Sequence, residues 1–193
     1  MTTKAFEALA CPLDGEPLYR ESSSWRCANG HNFDVARQGY VHLLPVQKKR
    51  SKDPGDSKEM VAARQRFLGA GYYQPIAEAV SAAVLKDVSE GSHLDCLDAG
   101  CGEGYYLRQL ASAAGGRVSL AVLGLDISKW AVLAAARRDR APSWVVGSNA
   151  NLPVQPASLD RVLCTFGFPV YSEFARVLKP GGKLIQVDAG QDH

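Results

Sequence analysis

From residue 93 onward the hydrophobic and polar positions alternate between two periods. "HLDCLDAG" is a nearly continuous apolar run closed by glycine, the pattern of a strand buried on both faces. "YYLRQLASAA" follows at helical spacing, then "SLAVLGLD" as a second strand. "SKWAVLAAARRDR" reads as a helix that Ser128 can cap. "SWVVGS" and "LDRVLCTF" are third and fourth strands, "YSEFARVLK" a helix, "PGG" a turn and "KLIQVDA" a fifth strand. Strands alternating with helices predict a parallel sheet covered by helices on both faces. Upstream, Asp56 with Glu59 three residues later reads as a capping box. Met60, Arg64, Phe67 and Leu68 then share one side of a helix that Gly71 can end. Pro75 suits the first turn of a second helix, with Ile76, Val80 and Val84 along one face.

Residues 1–45 show no helical period. "PLYRES", "SWRCANG" and "HNFDVARQGYVHLLP" are short β-like pieces separated by turns. So little chain buries little surface and needs a staple or a neighbour. The chain therefore divides into a small β module (1–45), a basic linker with two helices (46–92) and a sheet domain (93–193). The 46% hydrophobic content supports a true core, and the net charge of +2 alone announces no nucleic-acid partner. No apolar run is long enough for a membrane helix, and no basic-then-apolar leader opens the chain. Five cysteines without a secretory context read as reduced thiols in the cytoplasm. Arg37, Lys48, Lys49, Arg50 and Lys52 form a stretch without an acid.

The most informative stretch is "LDAGCGEGYY", a strand-to-helix turn of the form Asp98-x-Gly100-x-Gly102-x-Gly104. In an open parallel sheet, ligands bind at the carboxyl ends of strands, where glycines admit close approach and a helix N-terminus offers donors. A dinucleotide fingerprint would place its third glycine at 105, which is Tyr105, so that spacing fails. The G-x-G-x-G form after an acid resembles the first motif of S-adenosylmethionine-dependent methyltransferases. A sulfonium and an amino group make an acid such as Asp98 chemically apt. Asp126, ending the second strand, suits two ribose hydroxyls. In "GSNANLP", Ser148 and Asn149 stand where an adenine amino group would be reached, with Leu152–Pro153 over a ring face. "LKPGG" before the fifth strand also resembles that family.

A closer resemblance lies outside the sheet. "GYVHLLPVQKKRSKDPGDSKEMVAARQRFLGAGYYQP" followed by "LDAGCGEGYY" resembles the RlmA-type 23S rRNA guanine-N1 methyltransferases, a likeness running from Cys11 to His193. The family carries an N-terminal zinc module of the form C-P-x-C followed by C-x-x-x-H. Here Cys11, Cys27 and His31 take three ligand positions and Asp14 takes the fourth. A carboxylate oxygen among softer ligands weakens zinc binding without forbidding it. The resemblance implies an α/β, Rossmann-like methyltransferase sheet with a small zinc-ribbon-like β module. It implies cofactor contacts from Tyr73, from the Cys101–Gly102–Glu103 backbone and from His193. It also implies transfer of a methyl group to N1 of a guanine in 23S rRNA. Arg37, Lys48, Lys49, Arg50, Lys52, Arg64 and Arg66 would then hold phosphates. Phe166 and Phe168 read equally as a stacking surface for a flipped base or as core. Asp188, Asp192 and His193 lie near the fifth strand, and none is singled out as the base.

The family sheet has two further antiparallel strands after the fifth, so the expectation here is a bare sheet edge, prone to pairing with a neighbour, a homodimer included. Rival readings are a small-molecule methyltransferase of the same fold and a non-catalytic RNA-binding fragment. The first leaves the metal-like module and the basic bridge unexplained.

Overall fold

The structure, a computed structural model, describes residues 3–48 and 51–192, with the backbone alone at Lys48. The expectations placed on Lys49, Arg50 and His193 lie outside the described residues. In chain order the strands and helices are β1 (Thr3–Ala5), β2 (Tyr19–Glu21), β3 (Ser24–Arg26), β4 (Asn32–Asp34), β5 (Tyr40–His42), α1 (Lys58–Gly69), α2 (Gln74–Leu85), β6 (His93–Ala99), α3 (Tyr105–Ala114), β7 (Ser119–Asp126), α4 (Lys129–Arg138), β8 (Ser143–Val146), β9 (Leu159–Thr165), α5 (Tyr171–Val177) and β10 (Leu178–Val187).

The five apolar runs become β6 to β10, and all pair in parallel in the order β10-β9-β6-β7-β8, with β5 beyond β8. Side chains along them point alternately to opposite faces. Leu97, Ala99, Ala121, Leu123 and Leu125 therefore enter one core cluster, and Leu94, Cys96, Leu120 and Val122 the other. The second cluster is closed by Val80 and Val84 of α2, Leu107 and Leu110 of α3, and Val132 and Ala135 of α4. The first is closed by Phe174 and Val177 of α5 and by the N-terminal residues Phe6, Leu9, Leu18, Trp25, Val41 and Leu43. Each such large side chain, fully buried, stabilises the fold by about 1.5–3 kcal/mol.

Among the described residues the sheet has seven strands, not five. The two additions come from before residue 45. β1 runs parallel to β7 at Leu120–Val122, beside the stretch of β7 that β8 covers from Leu123 to Asp126. β5 lies parallel to β8, with Tyr40 opposite Trp144. The remaining N-terminal strands form a three-stranded antiparallel sheet, β2-β3-β4. The outer side of β10 pairs with no described strand.

Three local expectations are corrected. The cap of α1 is Ser57, whose hydroxyl accepts the Met60 N–H at 3.2 Å, because the Asp56 carboxylate is engaged by Arg64. The same helix buries Val61 and Leu68, whereas Met60 and Phe67 are exposed. "PGG" is a bulge within β10, whose register jumps from Leu178 opposite Leu159 to Lys183 opposite Arg161. No helix among the described residues is long and apolar enough to cross a membrane.

Candidate functional site

The tips of β6, β7, β8 and β9 converge on a cavity of about 630 Å³. Its walls are the turn Gly100–Glu103, the β7 tip Leu125–Ile127, the loop Gly147–Ala150 and the loop Thr165–Phe168. Asp56, Arg64, Phe67 and Tyr73 close it from the side. The glycine turn is sharp: Gly104 caps α3 at φ +89°, and a Cβ there would lie 2.8 Å from the Trp144 ring. Only glycine takes that backbone and that space without strain. The "DPGDS" segment is clamped on the β7–α4 turn. The Ser128 hydroxyl donates to the Asp56 carbonyl at 2.7 Å, and Lys129 pairs with Asp53 at 2.6 Å.

Asp126 accepts the Gly102 N–H and the Ser128 N–H, each at 2.9 Å, and burial raises its pKa. Asp98 is wholly buried beneath the turn, and neither carboxylate oxygen has a hydrogen-bond partner. Burial, and then the charge of Asp126, push it up to about 7. Asn149 donates to the Phe168 carbonyl at 3.0 Å, which leaves its Oδ1 buried without a donor, as is the Thr165 hydroxyl. Buried acceptors are ordinarily satisfied. Asn149 and Thr165 line the cavity, whereas Asp98 is sealed under the glycine turn and does not reach its wall; the unpartnered atoms on the wall, beside Asp126, fit a ligand that carries N–H and O–H donors.

The remaining expected residues fall around the same space. The Cys101 thiol is buried and donates to the Gly102 carbonyl at 3.4 Å. The Glu103 carboxylate is engaged by Arg108 at 2.6 Å and Arg138 at 3.3 Å, so that side chain anchors the turn. Tyr73 opens α2, its ring edge-on to Phe67 at 4.9 Å and tilted to Phe166 at 5.6 Å. Leu152 lies in the core under the cavity, so the wall expected of Leu152–Pro153 is made by Ile127 and Ala150 instead. Thr165, Asp56, Arg64 and Tyr106 also line the cavity and carry no motif of their own. A polar residue at a strand tip is the one signal that could have found Thr165.

Cys11, Asp14, Cys27 and His31 present ligand atoms that all lie within 4.8 Å of one another. The His31 Nδ1 is 3.4 Å from each sulfur and 3.0 Å from Asp14 Oδ2, and Cys27 Sγ is 3.5 Å from that oxygen. A tetrahedral zinc site with bonds of about 2.0–2.3 Å has ligand-to-ligand edges of roughly 3.3–3.8 Å. Two turns set this up: the Gly15 N–H donates to the Cys11 carbonyl, and the Gly30 N–H to the Cys27 carbonyl. The Asn29 amide (2.9 Å) and the Glu16 N–H (3.0 Å) hold the Asp14 carboxylate and keep it well below the usual carboxylate range. Burial pushes the Cys11 thiol up to about 11. Residues beside this cluster are hydrogen-bonded to the segment that follows the cavity loop Gly147–Ala150. The Asn151 amide donates to the Pro12 carbonyl at 3.1 Å, the Ala10 N–H to Pro153 and the Gln155 N–H to Ala8.

Residues 9–52 match the family model for the RlmA N-terminal zinc ribbon, and residues 97–186 match a methyltransferase domain. A 23S rRNA (guanine(748)-N(1))-methyltransferase of Streptomyces fradiae is 37% identical, covering 96% of this chain and 64% of its own length. A provisionally named 23S rRNA (guanine-N(1)-)-methyltransferase, YxjB of Bacillus subtilis, is 32% identical over 99% of this chain and 67% of its own. The chain belongs to the RlmA-type 23S rRNA (guanine-N1)-methyltransferase family. It spans about two thirds of the length of these curated relatives. Among solved structures, a provisionally named S-adenosyl-L-methionine-dependent methyltransferase of Methanococcus maripaludis superposes with a TM-score of 0.55. It is 20% identical and covers 72% of this chain and 67% of that one. A methyltransferase in complex with the Haloferax volcanii Trm112 methyltransferase activator gives 0.52 at 28% identity, covering 65% and 55%. The sheet is thus the methyltransferase sheet, with β1 and β5 added on the β7–β8 side. For this family Asp126 and the unpartnered Asn149 and Thr165 on the cavity wall fit S-adenosylmethionine, and the four-ligand cluster fits zinc.

Proposed function

We propose that this chain holds the cofactor-binding and metal-binding parts of an S-adenosylmethionine-dependent enzyme that methylates N1 of a guanine in 23S rRNA. The observation that carries the reading is the pair Asp98 and Asp126 under the glycine turn. They stand in a chain 37% identical to a 23S rRNA (guanine(748)-N(1))-methyltransferase over 96% of its length. S-adenosylmethionine, when bound, supplies an electrophilic methyl group on a sulfonium. Asp98 would favour its cationic end by charge. Asp126, oriented by two backbone donors, would accept ribose hydroxyls. The free Oδ1 of Asn149 would accept the adenine amino group. The Gly100–Glu103 backbone would form the close wall, with Tyr73 on the opposite side.

N1 lies on the Watson–Crick edge, so the target base must leave its stack to reach the cavity. Phe166 and Phe168 stand at the mouth and suit such a base. Positioning supplies most of the acceleration in such an in-line transfer. The metal module would contribute recognition of RNA shape. An rRNA substrate also implies a cytoplasmic location. The test is primer extension on unmodified 23S rRNA after incubation with the full-length protein and S-adenosylmethionine. A methyl on N1 blocks base pairing, so one new stop at a guanine is expected, with position 748 the first to inspect. Label transferred only to small molecules would overturn the reading.

A further inference from the structure

Of the apolar residues that share one side of α1 by periodicity, Leu68 is buried and Met60 and Phe67, one heptad apart, are exposed. Phe67 is part of a continuous row of rings. Tyr72, 70% exposed, stacks on Phe67 at 5.2 Å with 26° between planes. Phe67 meets Tyr73 at 4.9 Å, and Tyr73 meets Phe166 at 5.6 Å. The row runs from open surface to the cavity, whose lining includes its last three members.

Two further observations point to a ligand. Phe166 sits at φ +54°, a left-handed conformation that bulky residues rarely adopt outside functional sites. Its N–H is held by the Val187 carbonyl at 2.8 Å, and Phe168, two residues on, is 89% exposed. The flanking charge is net positive: Lys52, Lys58 and Arg66 are exposed around α1 against the exposed acid Glu59, with Asp53 and Asp56 already engaged by Lys129 and Arg64. Flat rings bordered by cations suit unstacked bases with their phosphates.

We propose that Tyr72, outside the cofactor cavity and stacked on Phe67 at its rim, forms a stacking platform for single-stranded nucleotides flanking the target guanine. The proposal rests on the rRNA reading given above. Aromatic stacking of a base changes affinity on the order of ten- to a hundredfold. Tyr72 is the residue to test, because it is highly exposed and absent from the cavity lining.

In the full-length protein, Tyr72→Ala should raise the KM for 23S rRNA about tenfold, with the affinity for S-adenosylhomocysteine by calorimetry unchanged. Tyr72→Trp should restore the KM. Its fluorescence should be quenched by a single-stranded oligoribonucleotide carrying the target loop, and not by a fully paired duplex. A wild-type enzyme that methylates rRNA while Tyr72→Ala leaves KM unchanged would overturn the platform and spare the rRNA reading. A defect seen only with assembled particles, and not with naked rRNA, would also overturn it, since the row would then dock protein. Failure of the wild type to methylate or bind RNA would overturn both.

Discussion

Replacing Asp98 by Asn should make the cofactor-free protein more stable at alkaline pH while weakening its cofactor binding. Asp98 is fully buried with two unpartnered oxygens, and its pKa is raised from 3.8 to about 7, first by burial and then by Asp126. The folded state therefore holds a proton that the unfolded chain releases. Between those two values stability falls as pH rises, and the whole cost is present above the folded pKa. At 1.36 kcal/mol per pH unit the full cost is about 4 kcal/mol, more than half of which develops between pH 5 and pH 8. The introduced amide would itself be under-satisfied, at a cost of about 1–3 kcal/mol that does not vary with pH. Groups distant from Asp98 titrate alike in both proteins, so the difference between variant and wild type reports this carboxyl together with its coupling to Asp126. For a chain of this size each kcal/mol moves Tm by roughly 2–4 °C. Thermal unfolding of both proteins without cofactor should show the variant gaining roughly 5–10 °C on wild type from pH 5 to pH 8. Calorimetry should show S-adenosylhomocysteine binding weakened at least tenfold. A difference curve flat in pH, or unchanged ligand affinity, would refute the reasoning.

The metal cluster predicts opposite effects from two substitutions. Asp14→Cys should tighten zinc, and Asn29→Ala, which removes a hydrogen bond to the Asp14 carboxylate, should loosen it about ten- to a hundredfold in competition with a chelating dye. Stripping the metal should weaken S-adenosylhomocysteine binding several-fold, because the Pro12 carbonyl beside Cys11 holds Asn151, the residue that follows the cavity-lining Ala150. Asn151→Ala should make that affinity independent of metal, as read by calorimetry in both metal states. Gly124→Ala would place a Cβ 2.2 Å from the Trp144 ring, which is pinned by its N–H to the Asp139 carbonyl. It should cost about 3 kcal/mol or more in thermal unfolding, and Trp144→Leu should recover part of the loss.

What the sequence disclosed follows from how strongly each feature is written in local pattern. Doubly buried strands leave unbroken apolar runs, so β6 to β10 were readable, as were the glycine turn, the Ser128 cap and Asp126. β1 and β5 were not readable, because three residues cannot display an alternation. Their place depends on edges that form only when β7 and β8 are in position. The fourth metal ligand was legible from spacing, but its fitness was not. That rests on Asn29, which side-chain geometry alone brings to Asp14. The buried stripe of α1 was only partly legible: Leu68 packs inward, but Met60 and Phe67 obey the helical period yet face solvent, and Val61 takes their place. Nothing in the order of residues 53–57 reveals that they clamp Ile127 and Ser128, or that Asp98 lacks a partner. Both are products of packing between distant segments.

The central claim is methyl transfer to N1 of a guanine. The most direct measurement is mass spectrometry of nucleosides from 23S rRNA treated with the full-length protein and isotopically labelled S-adenosylmethionine. Labelled 1-methylguanosine that disappears with Asp98→Asn is the expected result. Label on another position of guanine or on another base, or its absence from RNA while the protein binds the cofactor, would contradict the account.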